Sequence, residues 1–141
     1  MNERSQYRYQ SSDGAWRVEL HPALHPWVAA LSEDDAKHLE AAAGVLGRVG
    51  PTLGRPLVDS IVGRRHRNMK ELRPGSSGET EIRVLFAFDR VRRAILLVGG
   101  DKSGEWSEWY ERNIPIADSR FDEHQASLDV SAPKQKRRRK R

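Results

Sequence analysis

Cysteine is absent from the 141-residue chain. Disulfides, thiolate zinc sites and cysteine nucleophiles are thereby excluded. Long hydrophobic runs are absent too. Nothing approaches the ~18 consecutive apolar residues of a bilayer span, and the opening stretch MNERSQYRYQSSDG has no apolar core of the kind a secretory signal needs. A cytoplasmic protein with no membrane partner is expected. The five histidines, His21, His25, His38, His66 and His124, show no metal-ligand spacing on a helix, so no metal and no cofactor are expected. The run Gly99-Gly100-Asp101-Lys102-Ser103 lacks the full GxxxxGK[ST] pattern, which argues against a nucleotide-hydrolysing phosphate loop. Apolar residues amount to 37% and mean hydropathy is −0.76. One small core is feasible; two separate domains are not.

What is abundant is charge. Asp, Glu, Lys and Arg make up 32% of the residues, and the formal net charge is +5. That figure misleads, because the last eight residues hold seven of the 25 cations; the rest of the chain carries 18 basic against 20 acidic residues. Inside the body the cations gather between residues 60 and 93, where nine stand among four acids. A basic stripe on a neutral body points to a polyanion site.

The pattern of apolar residues predicts the elements. WRVEL (16–20) alternates and reads as a half-buried strand with Trp16, Val18 and Leu20 on one face. PWVAAL (26–31) starts a short helix. Ser32 caps a second one running to Val49, with Glu33, Asp34 and Asp35 in its first turn and Gly50-Pro51 ending it. PTLGRPLVDSIVG (51–63) wraps the surface. Three strands follow at 67–73, 80–89 and 93–98, joined by short turns and therefore neighbouring and antiparallel. On the middle strand Ile82, Val84, Phe86 and Phe88 share one face, with Arg83, Leu85 and Ala87 on the other. Residues 105–112 and 115–125 read as two short helical pieces. The expected organisation is a flexible arm at 1–15, one domain at 16–126 and a disordered basic tail at 127–141. The fold class is α+β: a small twisted antiparallel sheet of about four strands, a helical hairpin on one face and a short C-terminal helix.

Lys70, Arg73, Arg83, Arg92, Arg93 and Lys102 can converge on one side of such a sheet. Arginine binds phosphate bidentately, and the cluster could stabilise the charge that builds on phosphorus when a neighbouring 2′-hydroxyl attacks the RNA backbone. Arg64, Arg65 and Arg67 extend the stripe as RNA-binding candidates, together with Arg92 and Arg93. The alternative is a solvated strand face with salt bridges to Glu79, Glu81 and Asp89. Trp106 and Trp109 fit a core at helical spacing better than a base-stacking platform, whereas Tyr110 stays open as a general acid or base. His66, in GRRHRN, is either an acid–base group or a surface loop histidine.

The string MKELRPGSSGETEIRVLFAFDRVRRAILLVGGDKSGEW (69–106), taken with WRVEL, the helix pair and GPTLGRPLVDSI, resembles the RelE/ParE superfamily of toxins from type II toxin–antitoxin systems. The similarity covers about residues 16–125 and is closest to the HigB-like, phage-derived branch. It implies a compact α+β domain that cleaves messenger RNA on the ribosome without metal, by 2′-hydroxyl attack on the adjacent phosphate. By position it implies that Arg83 binds phosphate, that Lys102 is the basic residue after the last strand, that Lys70 and Arg73 are the basic positions of the preceding strand, and that Tyr110 is the C-terminal aromatic of the site. It also implies a cognate antitoxin, a helix-turn-helix DNA-binding protein, held in a hetero-oligomer. Two other readings share the resemblance: a ParE-like toxin that binds gyrase without hydrolysis, and a degenerate module that only binds.

Overall fold

The structure is a computed structural model, and it describes residues 15–75, 78–105 and 107–131. Strand β1 (Arg17–Leu20) leads through a short 3-10 turn into α1 (His25–Ala29) and the long α2 (Glu33–Val49). A two-residue strand, β2 (Val58–Asp59), precedes β3 (Met69–Leu72), β4 (Ile82–Phe88) and β5 (Arg93–Asp101), and α3 (Ser107–Ser131) closes the described chain. The α+β class is as expected.

The start of α2 follows from its first residues. Ser32 Oγ accepts from the Asp35 amide at 3.1 Å, and three acids occupy the turn whose exposed N–H groups favour negative charge. The β4–β5 hairpin is built by Asp89. Its Oδ1 accepts from the amides of Val91 (3.0 Å) and Arg93 (2.9 Å), and Arg92 takes φ +68° to close the three-residue loop. The Arg92 guanidinium lies 4.9 Å over the Trp16 ring, which ties this turn to β1.

The sheet order is β1-β5-β4-β3-β2. Four strands form an antiparallel run, but β1 joins β5 in parallel, Arg17 opposite Arg93 and Leu20 opposite Leu96. The sheet is therefore mixed and has five strands, not four in an all-antiparallel array. Short turns can only specify sequential neighbours. The β1–β5 pairing depends instead on α1 and α2 carrying the chain across one face, a connection long enough for a parallel crossover.

Both faces are covered. Val18, Leu39, Leu46, Val84, Phe86 and Leu96 form a core with the first two helices. Met69, Leu85, Ile95, Leu97, Trp109 and Phe121 form a second one under α3. Burial on two sides explains why β4 reads as a continuous apolar run around a single arginine. A bulge at Leu97/Val98 on β5 shifts the register against Leu85/Phe86, so Leu97 and Val98 both serve the second core.

The C-terminal helix is one continuous element of 25 residues with Pro115 inside it, not two short pieces. Proline removes one backbone hydrogen bond, to the Glu111 carbonyl. The burial of Trp109, Ile114, Ala117 and Phe121 on both sides of that point holds the helix together. It also runs five residues past the expected domain end at residue 126. Of the arm expected at 1–15, only Ala15 falls within the described residues, and the tail from residue 132 lies outside them.

Candidate functional site

Glu71 is the organising residue. It lies on β3 opposite Leu85 and points to the α3 side of the sheet, where its carboxylate is 6% exposed. Three side chains meet it. The Tyr110 hydroxyl, from the first turns of α3, donates to Oε1 at 2.5 Å. Arg83 Nε, from β4, stands 3.9 Å from the same oxygen, and Arg73 Nε, just past β3, stands 3.6 Å from Oε2. Arg73 also bonds Asp59 of β2 at 3.3 Å. Side chains from β4, α3 and the end of β3 thus converge on one carboxylate, with β2 joined to them through Arg73.

Arg83 is mostly covered but loosely bound. Its side chain is 12% exposed, its Nη1 donates to the Ile82 carbonyl at 2.9 Å, and its buried Nε has no hydrogen-bond partner. An unspent buried Nε donor is an unusual feature. The Tyr110 phenol is pushed up to about 12, first by burial and then by the Glu71 carboxylate, so it stays protonated far above neutral pH.

Two glycines let α1 and α3 approach here. A Cβ on Gly100, opposite Arg83, would fall 2.6 Å from Trp109 Nε1, and one on Gly99 would fall 2.3 Å from the Trp27 ring. The Gly-Gly pair is thus a seat for one tryptophan on each face of the sheet, not part of a phosphate loop. Trp109 is core, as its spacing predicts. Trp106 lies outside the described residues.

Beside Tyr110 and Glu71 opens a cleft of about 570 Å³ between α3 and the loop after β2. Ile61, Val62, Ile114 and Pro115 supply its apolar walls, and Glu111 and Asp118 join Glu71 as carboxylates facing it.

The remaining candidates are scattered. Lys102 follows β5 and is 8% exposed; its ammonium pairs with Glu81 at 3.3 Å, two residues before Arg83. Lys70 does not join the group. It pairs with Phe86, whose ring belongs to the α2-side core, and its ammonium donates to the Pro51 carbonyl on that side at 3.2 Å. Strand alternation separates it from its neighbour Glu71. Arg92 and Arg93 do not converge with Arg83 either, because they sit at the hairpin end of β4 and β5 while Arg83 pairs with Gly100 at the far end. Arg93 is bound to Asp89 (3.0 Å) and Glu19 (3.2 Å). Arg65 is bound to Asp122 at 2.7 Å, Arg64 donates to the Ile61 carbonyl, and Arg67 is exposed on the loop before β3. The expected single stripe is therefore divided: Arg73 and Arg83 gather at Glu71, Arg65, Arg93 and Lys102 hold separate ion pairs, and Lys70, Arg64 and Arg92 donate to backbone carbonyls.

Histidines and acids fasten α3 to the sheet. His66 bonds Asp122 at 3.0 Å and packs edge-on against Phe121, His21 bonds Glu123 at 3.0 Å, and His124 bonds Asp89 at 2.7 Å. Burial alone would raise the Asp89 carboxyl. Hydrogen bonds from His124 and from the Arg93 and Val91 amides, with the Arg93 charge, hold it below the ordinary range. Among the described residues no group of three or more His, Asp or Glu is placed to hold a metal ion, and no helix is long and apolar enough to cross a membrane.

Glu71 is the residue that sequence reasoning missed, having been counted only as a charge among the cations. Its strand parity with Arg73, two positions away, was the available signal.

Residues 26–122 match the family model described as "Phage derived protein Gp49-like (DUF891)". Over 125 residues, 89% of this chain, the sequence is 48% identical to the Mycobacterium tuberculosis protein named "Putative toxin HigB2". Over 110 residues, 78% of this chain, it is 50% identical to "Putative toxin HigB3" of the same organism. The chain spans 62% of the length of the first relative and 94% of the second. No solved structure matches.

Proposed function

The chain belongs to the family of phage-derived, Gp49-like proteins, and from that premise we propose that it is the toxin of a type II toxin–antitoxin pair, acting as an endoribonuclease on messenger RNA. The toxin reading is supported by the names of two relatives near half identity over most of this chain. The nuclease reading is carried by one observation: the Arg83 guanidinium, on a side chain 12% exposed and with a buried, unspent Nε donor, stands beside a phenol–carboxylate pair.

In the proposed reaction Arg83 and Arg73 hold the non-bridging oxygens of the scissile phosphate, competing with their loose contacts to Glu71. The 2′-hydroxyl attacks phosphorus and its proton passes to the Glu71 carboxylate. The bond from phosphorus to the 5′ oxygen breaks, and that oxygen takes the Tyr110 proton. The products are a 2′,3′-cyclic phosphate and a 5′-hydroxyl end. Glu71 then returns a proton to the Tyr110 phenolate across their hydrogen bond, and the site is reset. The step as written needs no metal, because two guanidiniums meet the charge developing on phosphorus. Lys102 acts as a further cation past the end of β5. The partner is a cognate antitoxin, and the work is done in the cytoplasm on ribosome-bound message.

Induced expression of the lone chain is expected to stop growth, with translation failing before replication. Arg83→Ala is expected to abolish arrest, and Arg83→Lys to leave it severely weakened, because lysine keeps the charge but not the fork. A folded Arg83→Ala, Lys102→Ala double variant that remains fully toxic would sink the assignment. Replication failing first would favour the gyrase-binding alternative.

A further inference from the structure

The cleft beside Tyr110 is unlike a phosphate site. Its acids would repel an RNA backbone, yet its walls are apolar: Ile61 and Val62 from the loop after β2, Ile114 and Pro115 from α3. Val62 is 93% exposed, an isolated apolar side chain standing at the mouth. Glu111, next in sequence to Tyr110, lines the cleft, and its exposed carboxylate takes part in no hydrogen bond or ion pair among the described residues. Nearby carboxylates are already engaged: Glu71 by Tyr110, and Asp118 by the Arg65 amide at 3.4 Å. Apolar walls with one unspent acceptor pair suit a flat ring that carries N–H donors on its edge.

We propose that this cleft holds a guanine base of the RNA strand, with the Glu111 carboxylate reading its pairing edge. The inference rests on the nuclease reading and assigns it a base preference. Only guanine presents two adjacent donors there, the N1–H and the N2 amino group, and these match the two oxygens of one carboxylate. Uracil flanks its single N–H with two carbonyl oxygens, which a carboxylate repels; adenine and cytosine place an acceptor beside their amino group. The same charges orient the strand. Phosphate is attracted toward Arg83 and Arg73 and driven from Glu111 and Asp118, so the base rather than the backbone enters the cleft.

The test is calorimetric titration of the full chain with guanosine 3′-monophosphate and, separately, uridine 3′-monophosphate. Guanosine monophosphate is expected to bind about tenfold more tightly, the discrimination of one good bidentate pair. Glu111→Gln, which replaces one acceptor by a donor, is expected to remove that ratio. Glu111 is exposed and unpaired, so circular dichroism and the melting midpoint should match the wild type. Equal binding of the two nucleotides, binding of neither, or a ratio that survives Glu111→Gln would each overturn the proposal. The two readings fail separately. Arrest that persists in folded Arg83→Ala removes the nuclease and leaves any guanosine ratio standing. A missing ratio in a chain whose arrest depends on Arg83 removes only the base assignment.

Discussion

Gly100 and Tyr110 are where small changes should register most clearly. A methyl at position 100 would sit 2.6 Å from the Trp109 indole nitrogen, with the strand on one side and α3 on the other. Gly100→Ala is therefore expected to destabilise by about 1–3 kcal/mol, the range for overpacking, read from denaturant midpoints; an unchanged midpoint would mean that Trp109 can step aside. Tyr110 should titrate late. Its phenol is favoured in the folded chain, so the stability it brings is complete below the ordinary value of 10.0 and is lost as pH climbs through about 12. The ultraviolet difference spectrum between wild type and Tyr110→Phe should show phenolate appearing near 12; a rise near 10 would refute the Glu71 contact. Individual residues were only partly legible in sequence. Arg83, Arg73 and Tyr110 were identified and do meet. Lys70 was placed with them, but strand parity sends it to the opposite face, and the acid beside it, Glu71, is the one that gathers the cluster.

Among the elements, α3 departs furthest from local expectation. Pro115 breaks its hydrogen-bond ladder yet the helix continues, held by burial on both sides of the proline. Restoring the missing amide should therefore strengthen it. Pro115→Ala is expected to raise stability by about 1–3 kcal/mol, seen as a higher thermal midpoint, while removing one wall of the cleft beside Tyr110. A lowered midpoint would show that the ring's packing outweighs the lost bond. By contrast α2 was legible to its cap, because Ser32 and the three acids after it are local signals. Removing that cap by Ser32→Ala should cost about 1 kcal/mol in the same melt. The strands of the antiparallel run were legible through their short turns. The pairing of β1 with β5 was not, since no residue in either announces a partner so distant in sequence.

For the molecule as a whole, acid is the condition that tests the ion pairs together. Asp59, held down first by its hydrogen bond from Arg55, and Asp122, by that from Arg65, both lie below the ordinary carboxylate value. Asp89 and Asp101 do so despite burial, through amide and side-chain donors. Depressed carboxyls stabilise the fold above their ordinary value of 3.8, and that stability is lost as pH falls through their lower folded values. Thermal midpoints should thus fall steeply below about pH 4; a flat profile down to pH 2 would mean that these contacts do not hold in solution. The HigB-like resemblance read over residues 16–125 agrees with the matched family and relatives. The dispersal of the basic stripe was not legible, because several of the acids that bind its cations, such as Asp122 on α3 and Glu19 on β1, are brought there only by contacts distant in sequence.

The edge strand β1 sets a timetable for synthesis. It leaves the ribosome early, yet its hydrogen-bonding partner is β5, more than seventy residues later in the chain. Until β5 has emerged, Val18 and the apolar sides of α1 and α2 have no finished sheet to settle on, and loop closure over that span is slow. The cluster around Glu71 is equally late, because Tyr110 follows β5. A nascent chain therefore lacks the gathered Glu71, Arg83 and Tyr110 group until the start of α3 has followed β5 out of the exit tunnel.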